Sequence, residues 1–212
     1  MADHSVDFAS MLVSRLCHDL LSPVGSFGNG LELLADENDP DMRENVVALL
    51  NASAASAINK LKFFRMAFGS AGGYGDSLSP DDIDEALRGL VPTGRDTSIE
   101  WMSPRDALPK GAARLLLLLG MTIVEALLRG GTISIAVERR GEGVELALRG
   151  AGPRVIIDEV LVAAFAIAPV EPSPKTITVA LAHRIAAQSG GAIMLSRPAD
   201  GEIVVGAVLP RA

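Results

Sequence analysis

Residues 8–34 of the chain read FASMLVSRLCHDLLSPVGSFGNGLELL, and the fold of the N-terminal part follows from their pattern. The apolar residues recur at steps of three and four, which is the period of one face of an α-helix. This spacing predicts a long helix with an apolar stripe formed by Phe8, Leu12, Leu16, Leu20, Val24, Phe27, Leu31 and Leu34. Pro23 lies inside the pattern, and we expect it to kink or loosen the helix at that point.

A second helix is predicted after the polar turn at 36–39 (DEND). Asp39 followed by Pro40 is typical of an N-cap and a first helical residue. The second apolar stripe consists of Met42, Val46, Leu49, Ser53, Ala57, Ile58, Leu61, Phe64 and Phe68. A lone antiparallel hairpin cannot bury its own stripe, so we expect a homodimer in which two hairpins form a four-helix bundle. The alternative is that the hairpin packs on the rest of the chain.

The chain changes character after residues 69–79 (GSAGGYGDSLS), whose glycines predict a linker. We therefore expect two domains, a helical hairpin at 1–75 and a second domain at 76–212. In the second domain, β-branched strand candidates are interspersed with helical ones. The strands are predicted at 98–102, 132–138, 144–148, 192–196 and 203–209, and the helices at 79–90, 110–128, 157–167 and 176–188. This mixture predicts an α/β sandwich with helices on one face of a sheet, and an α+β fold class overall.

The composition excludes several classes of protein. A net charge of −7 without basic runs argues against nucleic acid as a partner, because such binding needs Lys and Arg to neutralise phosphates. The most apolar run, residues 115–124, is about half of the roughly 20 residues that a membrane span needs. Cys17 is the single cysteine and cannot form an internal disulfide, and we expect it to be a small buried apolar residue. These features predict a cytoplasmic protein with no membrane partner.

His18 is the candidate reactive residue. It lies two positions from both Leu16 and Leu20, so at about 100° per residue it points away from the apolar stripe. Asp19 follows directly, and a carboxylate bonded to one imidazole nitrogen fixes the tautomer and leaves the other nitrogen as a nucleophile. The same exposed face carries mostly small side chains, namely Ser14, Leu21, Ser22, Gly25 and Asn29. A bulky protein partner can therefore approach the ring. An ordinary surface histidine is the alternative interpretation.

Residues 17–23 (CHDLLSP) resemble the H-box of sensor histidine kinases, His-Glu/Asp-Leu-x-x-Pro, in which the histidine is phosphorylated. Three further stretches resemble the kinase catalytic domain. Residues 122–128 (TIVEALL) are similar to the N-box helix, 144–154 to the first glycine box, and 175–193 (KTITVALAHRIAAQSGGAI) to the second glycine box and its helix. The resemblance implies a dimerisation and phosphotransfer hairpin followed by a Bergerat-like α/β sandwich.

The positions that bind ATP in those kinases depart from the kinase pattern. Thr176 and Thr178 stand where the second glycine box has glycines, so β-branched side chains replace a close backbone approach to phosphates. Gly150 stands at the aspartate that binds adenine, and Arg154 at the last glycine of the first box. Glu125 replaces the asparagine that ligates magnesium. We therefore expect that the domain is a degenerate ATPase that does not use ATP.

A phosphoacceptor histidine without an ATP site is typical of the ChpT-type histidine phosphotransferases of alphaproteobacterial cell-cycle phosphorelays. The chain also resembles that family at 60–69 (KLKFFRMAFG). The resemblance implies that His18 accepts a phosphoryl group from the receiver domain of a hybrid histidine kinase and passes it to a response regulator. Asp19 is expected to orient His18. The chain needs no cofactor or metal of its own, since the receiver brings Mg²⁺.

The resemblance also implies a partner-binding strip made of Leu21, Ser22, Gly25 and Asn29. Pairing of the two helices about the turn brings Lys60 and Phe63 within reach of His18, and Lys60 or Lys62 is expected to balance phosphate charge. Two other functions stay open. One is an ATP-dependent histidine kinase with a divergent site, and the other is a non-catalytic dimeric adaptor that binds receivers.

Overall fold

The computed structural model describes residues 2–69, 75–168 and 172–211. Residues 70–74 of the expected linker, just before the domain boundary expected after residue 75, lie outside the described residues. The described end of that segment is not a linker. Ser77–Leu78 is a short strand, and the Ser79 side chain caps the helix that follows.

The N-terminal part is the expected helical hairpin, formed by α1 (Ala2–Asp36) and α2 (Pro40–Phe68). Asp39 Oδ1 accepts a hydrogen bond from the backbone N–H of Met42 at 3.0 Å, so the predicted N-cap is confirmed. Helix α1 continues through Pro23 without a break.

The hairpin leaves much of its apolar surface exposed. Helix α2 buries Val46, Leu50 and Ser53, and Leu50 lies directly against Gly30 of α1. Seven large apolar residues of the two predicted stripes are exposed in the single chain, and we call them the exposed apolar stripe: Val24, Phe27, Leu31, Met42, Leu49, Ile58 and Leu61. The predicted stripes therefore include both buried residues and residues that are exposed in the single chain.

The rest of the chain forms the expected α/β sandwich. Its elements are β1 (Ser77–Leu78), α3 (Pro80–Arg88), β2 (Thr97–Trp101), β3 (Leu108–Pro109), α4 (Lys110–Ala126), β4 (Gly131–Arg140), β5 (Gly143–Ala151), α5 (Glu159–Ala166), α6 (Ile177–Gln188), β6 (Ala192–Ser196) and β7 (Glu202–Leu209). Five strands form one sheet in the order β2-β4-β5-β7-β6, in which the β2–β4 pair is parallel and the other pairs are antiparallel. The short strands β1 and β3 pair separately.

The core lies between the sheet and α4. Alternate strand residues such as Ile135, Leu148 and Val205 are fully buried, as expected for a sheet with one covered face. Helix α4 buries every residue from Leu115 to Val124, and each such leucine stabilises the fold by about 1.5–3 kcal/mol relative to an exposed one. The predicted apolar run is therefore the central core helix.

The hairpin is anchored on this sandwich at its open end. Phe8, Phe63 and Phe64 belong to the same buried core as α4. Side-chain contacts also cross the junction. Arg114 Nε donates to the Ala67 carbonyl at 3.0 Å, and the Arg184 guanidinium lies 3.5 Å from the centre of the Phe8 ring. Lys62 pairs with Glu85 at 3.3 Å, and Arg15 pairs with Glu125. The junction therefore holds the middle of α1 in a defined position beside α4.

None of the helices in the described ranges is long and apolar enough to cross a membrane.

Candidate active site

His18 projects from the middle of α1 into solvent, as its spacing predicted. Its side chain is 82% exposed, and its Nδ1 lies 3.1 Å from Asp19 Oδ1. In the tautomer that carries the proton on Nδ1, the ring donates this hydrogen bond to the carboxylate. Nε2 is then the ring nitrogen that has a lone pair and is available to a partner.

Asp19 is held on its other side by Arg15. The carboxylate is only 14% exposed, and its Oδ2 accepts a hydrogen bond from Arg15 Nε at 2.8 Å, one turn earlier in α1. The Arg15 guanidinium also donates to the carboxylate of Glu125, which belongs to the last turn of α4. We call Arg15, Asp19 and Glu125 the Arg15 network. It connects the exposed ring of His18 to the α/β sandwich.

The ionisation of the network follows from its partial burial. Burial is the largest single effect on Arg15 and lowers the pKa of its guanidinium, but Glu125 and Asp19 together outweigh it, so the pKa is raised. Burial also raises the pKa of the Glu125 carboxyl above its ordinary value, and the Arg15 charge opposes this increase. Arg15 therefore remains a cation between two carboxyl groups.

Lys60 reaches the site from α2. Its Nζ donates to the backbone carbonyl of Asp19 at 2.8 Å, and the residue is partly buried. Lys62, the other predicted cation, points elsewhere and pairs with Glu85 of α3. Of the two lysines, Lys60 is thus the one whose charge lies beside the His18–Asp19 pair.

The predicted partner-binding strip is accessible on α1, where Leu21, Ser22, Gly25 and Asn29 are all exposed. Phe63, however, was wrongly predicted as a partner-binding residue. It is completely buried and packs edge-to-face on Phe64, with 5.6 Å between the ring centres. The reason is that this turn of α2 packs on α4, so the side of α2 that carries Phe63 belongs to the core.

The residues that depart from the ATP-site pattern of the kinases are packed against or paired with other residues of this chain. Thr176 and Thr178 are buried, and the Thr176 hydroxyl accepts a hydrogen bond from the backbone N–H of Ser173 at 2.9 Å. A Cβ on Gly150 would lie 2.5 Å from Ile123 Cγ2, so an aspartate there would collide with α4. Glu125 pairs with Arg15. Within 2–69, 75–168 and 172–211, no group of three or more His, Cys, Asp and Glu side chains could hold a metal ion.

The Arg15 network was not predicted from the sequence, and Cys17, which was expected to be buried, is exposed. The spacing of Arg15 and Asp19, four residues apart on one helix, was a signal for an ion pair. Glu125 lies 110 residues further along the chain, and nothing local in the sequence connects it to Arg15.

Comparison with known proteins assigns the family. A family model described as the histidine phosphotransferase C-terminal domain matches residues 80–201, which is more than half of the chain. The protein phosphotransferase ChpT of Brucella abortus (strain 2308) is 36% identical over 134 residues, covering 63% of this chain and 62% of that protein. The match thus spans less than two thirds of this curated relative. The solved structure of a bacterial phosphotransferase superposes with a TM-score of 0.80 at 27% identity and covers 95% of this chain and 96% of the other.

The fold and site therefore define a helical hairpin with an exposed histidine, mounted on an α/β sandwich. The chain belongs to the histidine phosphotransferase family. The resemblance to ChpT-type proteins that the sequence indicated is confirmed.

Proposed function

We propose that this protein is a phosphorelay histidine phosphotransferase that carries the phosphoryl group on His18 and does not use ATP. The observation that carries the proposal is the exposed His18 ring, with Nδ1 3.1 Å from Asp19 Oδ1. The donor is an aspartyl phosphate on the receiver domain of a hybrid histidine kinase. The acceptor is the corresponding aspartate of a response regulator.

The transfer consists of two displacements at phosphorus. In the first, the Nε2 lone pair of His18 attacks the phosphorus in line, the P–N bond forms, and the bond to the donor aspartate breaks with its electron pair, which leaves a carboxylate. The Nδ1 proton stays on the ring, where Asp19 accepts its hydrogen bond. In the second displacement, the acceptor carboxylate attacks, and the P–N electron pair returns to Nε2.

Charge neutralisation is the main catalytic requirement, because phosphoryl transfer depends mostly on positioning and electrostatic stabilisation. Asp19 orients the ring and balances the positive charge of the phosphorylated imidazole. The Lys60 ammonium, 2.8 Å from the Asp19 carbonyl, contributes positive charge near the site. We assign Mg²⁺ to the acidic pocket of the incoming receiver.

A receiver has a surface to dock on next to His18. The strip Leu21, Ser22, Gly25 and Asn29 continues down α1 from the ring. Beside it, a groove of about 480 Å³ runs between the hairpin and the segment that follows α3, and its lining includes Ser22, Asn59, Lys60, Leu90 and Pro92. This groove suits a helix or a loop of the partner that is aligned with α1.

The proposed assembly is a homodimer through a four-helix bundle. The exposed apolar stripe supports it, since large apolar side chains such as Leu31 and Ile58 are about half exposed in the single chain. Large apolar side chains exposed in this number on one hairpin are typical of an interaction site. The stripe lies on a different face of α1 from His18, so pairing leaves the ring open to a receiver.

The decisive experiment is a transfer assay. A receiver domain labelled with ³²P on its aspartate is mixed with wild type, with His18→Ala, or with Ser14→Ala, which alters the same face one turn earlier. We expect label on wild type and on Ser14→Ala, onward transfer to a second receiver, and no label on His18→Ala. Transfer that survives His18→Ala, or receiver binding without any transfer, would overturn the proposal, and the second result would favour an adaptor.

The independence from ATP is tested separately. The protein is incubated with γ-³²P-ATP and Mg²⁺, without any receiver, and His18→Ala is the control. We expect no retained label in either sample. Label on wild type that is lost in His18→Ala would identify an active histidine kinase with a divergent site.

A further inference from the structure

We propose that Arg15 is a positioning residue for His18 and that Glu125 holds Arg15 in place, so that α4 sets the orientation of the phosphoacceptor ring. This inference rests on the proposed function and assigns the α/β sandwich a part in the same reaction. It begins from the continuous series of contacts that runs from α4 through Glu125, Arg15 and Asp19 to His18.

The two oxygens of the Asp19 carboxylate have different hydrogen-bond partners. Oδ1 faces His18 Nδ1 at 3.1 Å, and Oδ2 accepts from Arg15 Nε at 2.8 Å. An aspartate side chain has a broad terminal torsion, so one hydrogen bond alone does not fix the plane of its carboxylate. The second hydrogen bond, from a planar guanidinium, fixes that plane and keeps Oδ1 directed at the ring.

Arg15 is itself held in place by Glu125. A free arginine side chain has large rotamer entropy, and an exposed ion pair is worth little. The Arg15 side chain is only 15% exposed, and Glu125 engages the part of the guanidinium that Asp19 does not use. Glu125 itself extends from a helix whose preceding residues, including Ile123, are buried. The Glu125 side chain is 44% exposed, but its backbone is held by a helix that belongs to the core.

The fixed orientation of the Asp19 carboxylate affects the reactivity of His18. A carboxylate fixed against Nδ1 favours the tautomer with the proton on that nitrogen, which leaves the Nε2 lone pair directed to solvent. When the carboxylate is free to turn, the tautomers mix and the ring rotates, so fewer encounters with a receiver are productive. We expect the rate of transfer to fall while the affinity for the receiver stays the same, since none of the three residues belongs to the partner-binding strip.

The test compares Arg15→Gln, Arg15→Lys and Glu125→Gln with Glu85→Gln. Glu85→Gln is the matched control, because it removes a carboxylate that also pairs with a hairpin cation across the junction, Lys62. Single-turnover transfer from a phosphorylated receiver is measured over a range of receiver concentrations, which separates the rate at saturation from the apparent affinity. In addition, ¹⁵N NMR of the histidine ring measures the tautomer fraction of His18 without any receiver.

For Arg15→Gln we expect the saturating rate to fall about 10- to 100-fold, as for other groups that orient a reactive side chain, with unchanged apparent affinity. Glu125→Gln should show a smaller decrease of the same kind, Arg15→Lys should recover part of the loss, and Glu85→Gln should behave like wild type. The Nδ1-protonated fraction of His18 should decrease in Arg15→Gln and stay constant in Glu85→Gln.

An unchanged tautomer fraction and rate in Arg15→Gln would overturn the inference. Loss of receiver affinity instead of rate would also overturn it, because it would place Arg15 in the docking surface. The NMR measurement does not depend on transfer. If His18 never accepts a phosphoryl group, the proposed function fails while the tautomer measurement still decides whether Arg15 orients the ring.

Discussion

The Lys60 ammonium donates to the backbone carbonyl of Asp19 at 2.8 Å, and Pro23 makes that carbonyl available. In an α-helix the carbonyl of residue 19 would accept from the N–H of residue 23, but proline has no N–H to donate. Lys60 of α2 therefore supplies the bond that α1 lacks. The proline of the CHDLLSP motif and a lysine 37 residues later form one structural unit beside His18.

This relationship predicts a thermodynamic coupling between Pro23 and Lys60. Lys60→Met should lower the free energy of unfolding by about 1–3 kcal/mol, because it leaves a partly buried carbonyl without its charged donor. In a Pro23→Ala background the same substitution should have a clearly smaller effect, because an alanine at this position restores the helical N–H donor. Urea denaturation of the four proteins at one protein concentration measures the double-mutant cycle. Equal effects of Lys60→Met in both backgrounds would refute the coupling.

The exposed apolar stripe predicts the effect of a charge in the proposed dimer interface. Leu31→Glu should dissociate the dimer, because it introduces a carboxylate into the proposed bundle core, where burial of an unpaired charge is costly. Leu33→Glu is the matched control, since Leu33 is also exposed but lies on the other side of α1. Light scattering at micromolar concentration should give a dimer mass for wild type and Leu33→Glu and a monomer mass for Leu31→Glu. A monomeric wild type would contradict the four-helix bundle.

Two glycines in α4 predict opposite effects of the same substitution. A Cβ on Gly120 would lie 2.5 Å from Leu87 Cδ2, and Leu87 is completely buried in α3. Gly120→Ala should therefore destabilise the fold, since overpacking of about 1–3 kcal/mol exceeds the gain in helix propensity of about 1 kcal/mol.

Gly111 is the control for this substitution, because a Cβ there meets nothing within 4 Å. Gly111→Ala should leave stability unchanged or raise it by up to about 1 kcal/mol. Thermal unfolding of both variants checks the pair. A stabilising Gly120→Ala would mean that Leu87 can move aside, and that α3 and α4 are less tightly packed than their contact indicates.

The shifted pKa of Glu125 predicts a pH dependence of stability. Burial raises the pKa of this carboxyl above 4.5, so the folded protein keeps the proton to higher pH than the unfolded chain does. Between those two pKa values the folded state binds more protons, and its free energy of unfolding falls as pH rises. Glu125→Gln does not titrate.

We therefore expect the stability of wild type minus that of Glu125→Gln to decrease as pH rises through this window. Urea denaturation of both proteins from about pH 4 to about pH 8 measures the difference. A difference that increases with pH would show that the Arg15 charge, rather than burial, governs the Glu125 carboxyl.

The sequence predicted those parts of the fold that depend on local patterns. The hairpin, its Asp39 cap, the five main strands and the exposure of His18 all follow from periods of 3.6 and 2 and from capping chemistry. The departures from the glycine boxes were also visible in the sequence, because single residues can be compared directly with a known motif.

The remaining features depend on which surfaces meet in space. Phe63 was placed near His18 because the two helices pair at that level, but its side of α2 faces α4, and no spacing within the hairpin contains that information. Arg15 and Glu125 meet across 110 residues for the same reason. The short strand at Ser77–Leu78 depends on a partner at Leu108–Pro109 and was therefore interpreted as part of a linker.

The 82% exposure of the His18 ring has a kinetic consequence for the proposed relay. A phosphoryl group on this exposed ring is accessible to water as well as to a receiver. Hydrolysis therefore competes with every transfer. The yield of the relay then depends on the rate of hydrolysis relative to the rate at which an acceptor binds. The protein conserves the signal only while the acceptor is abundant enough to arrive first.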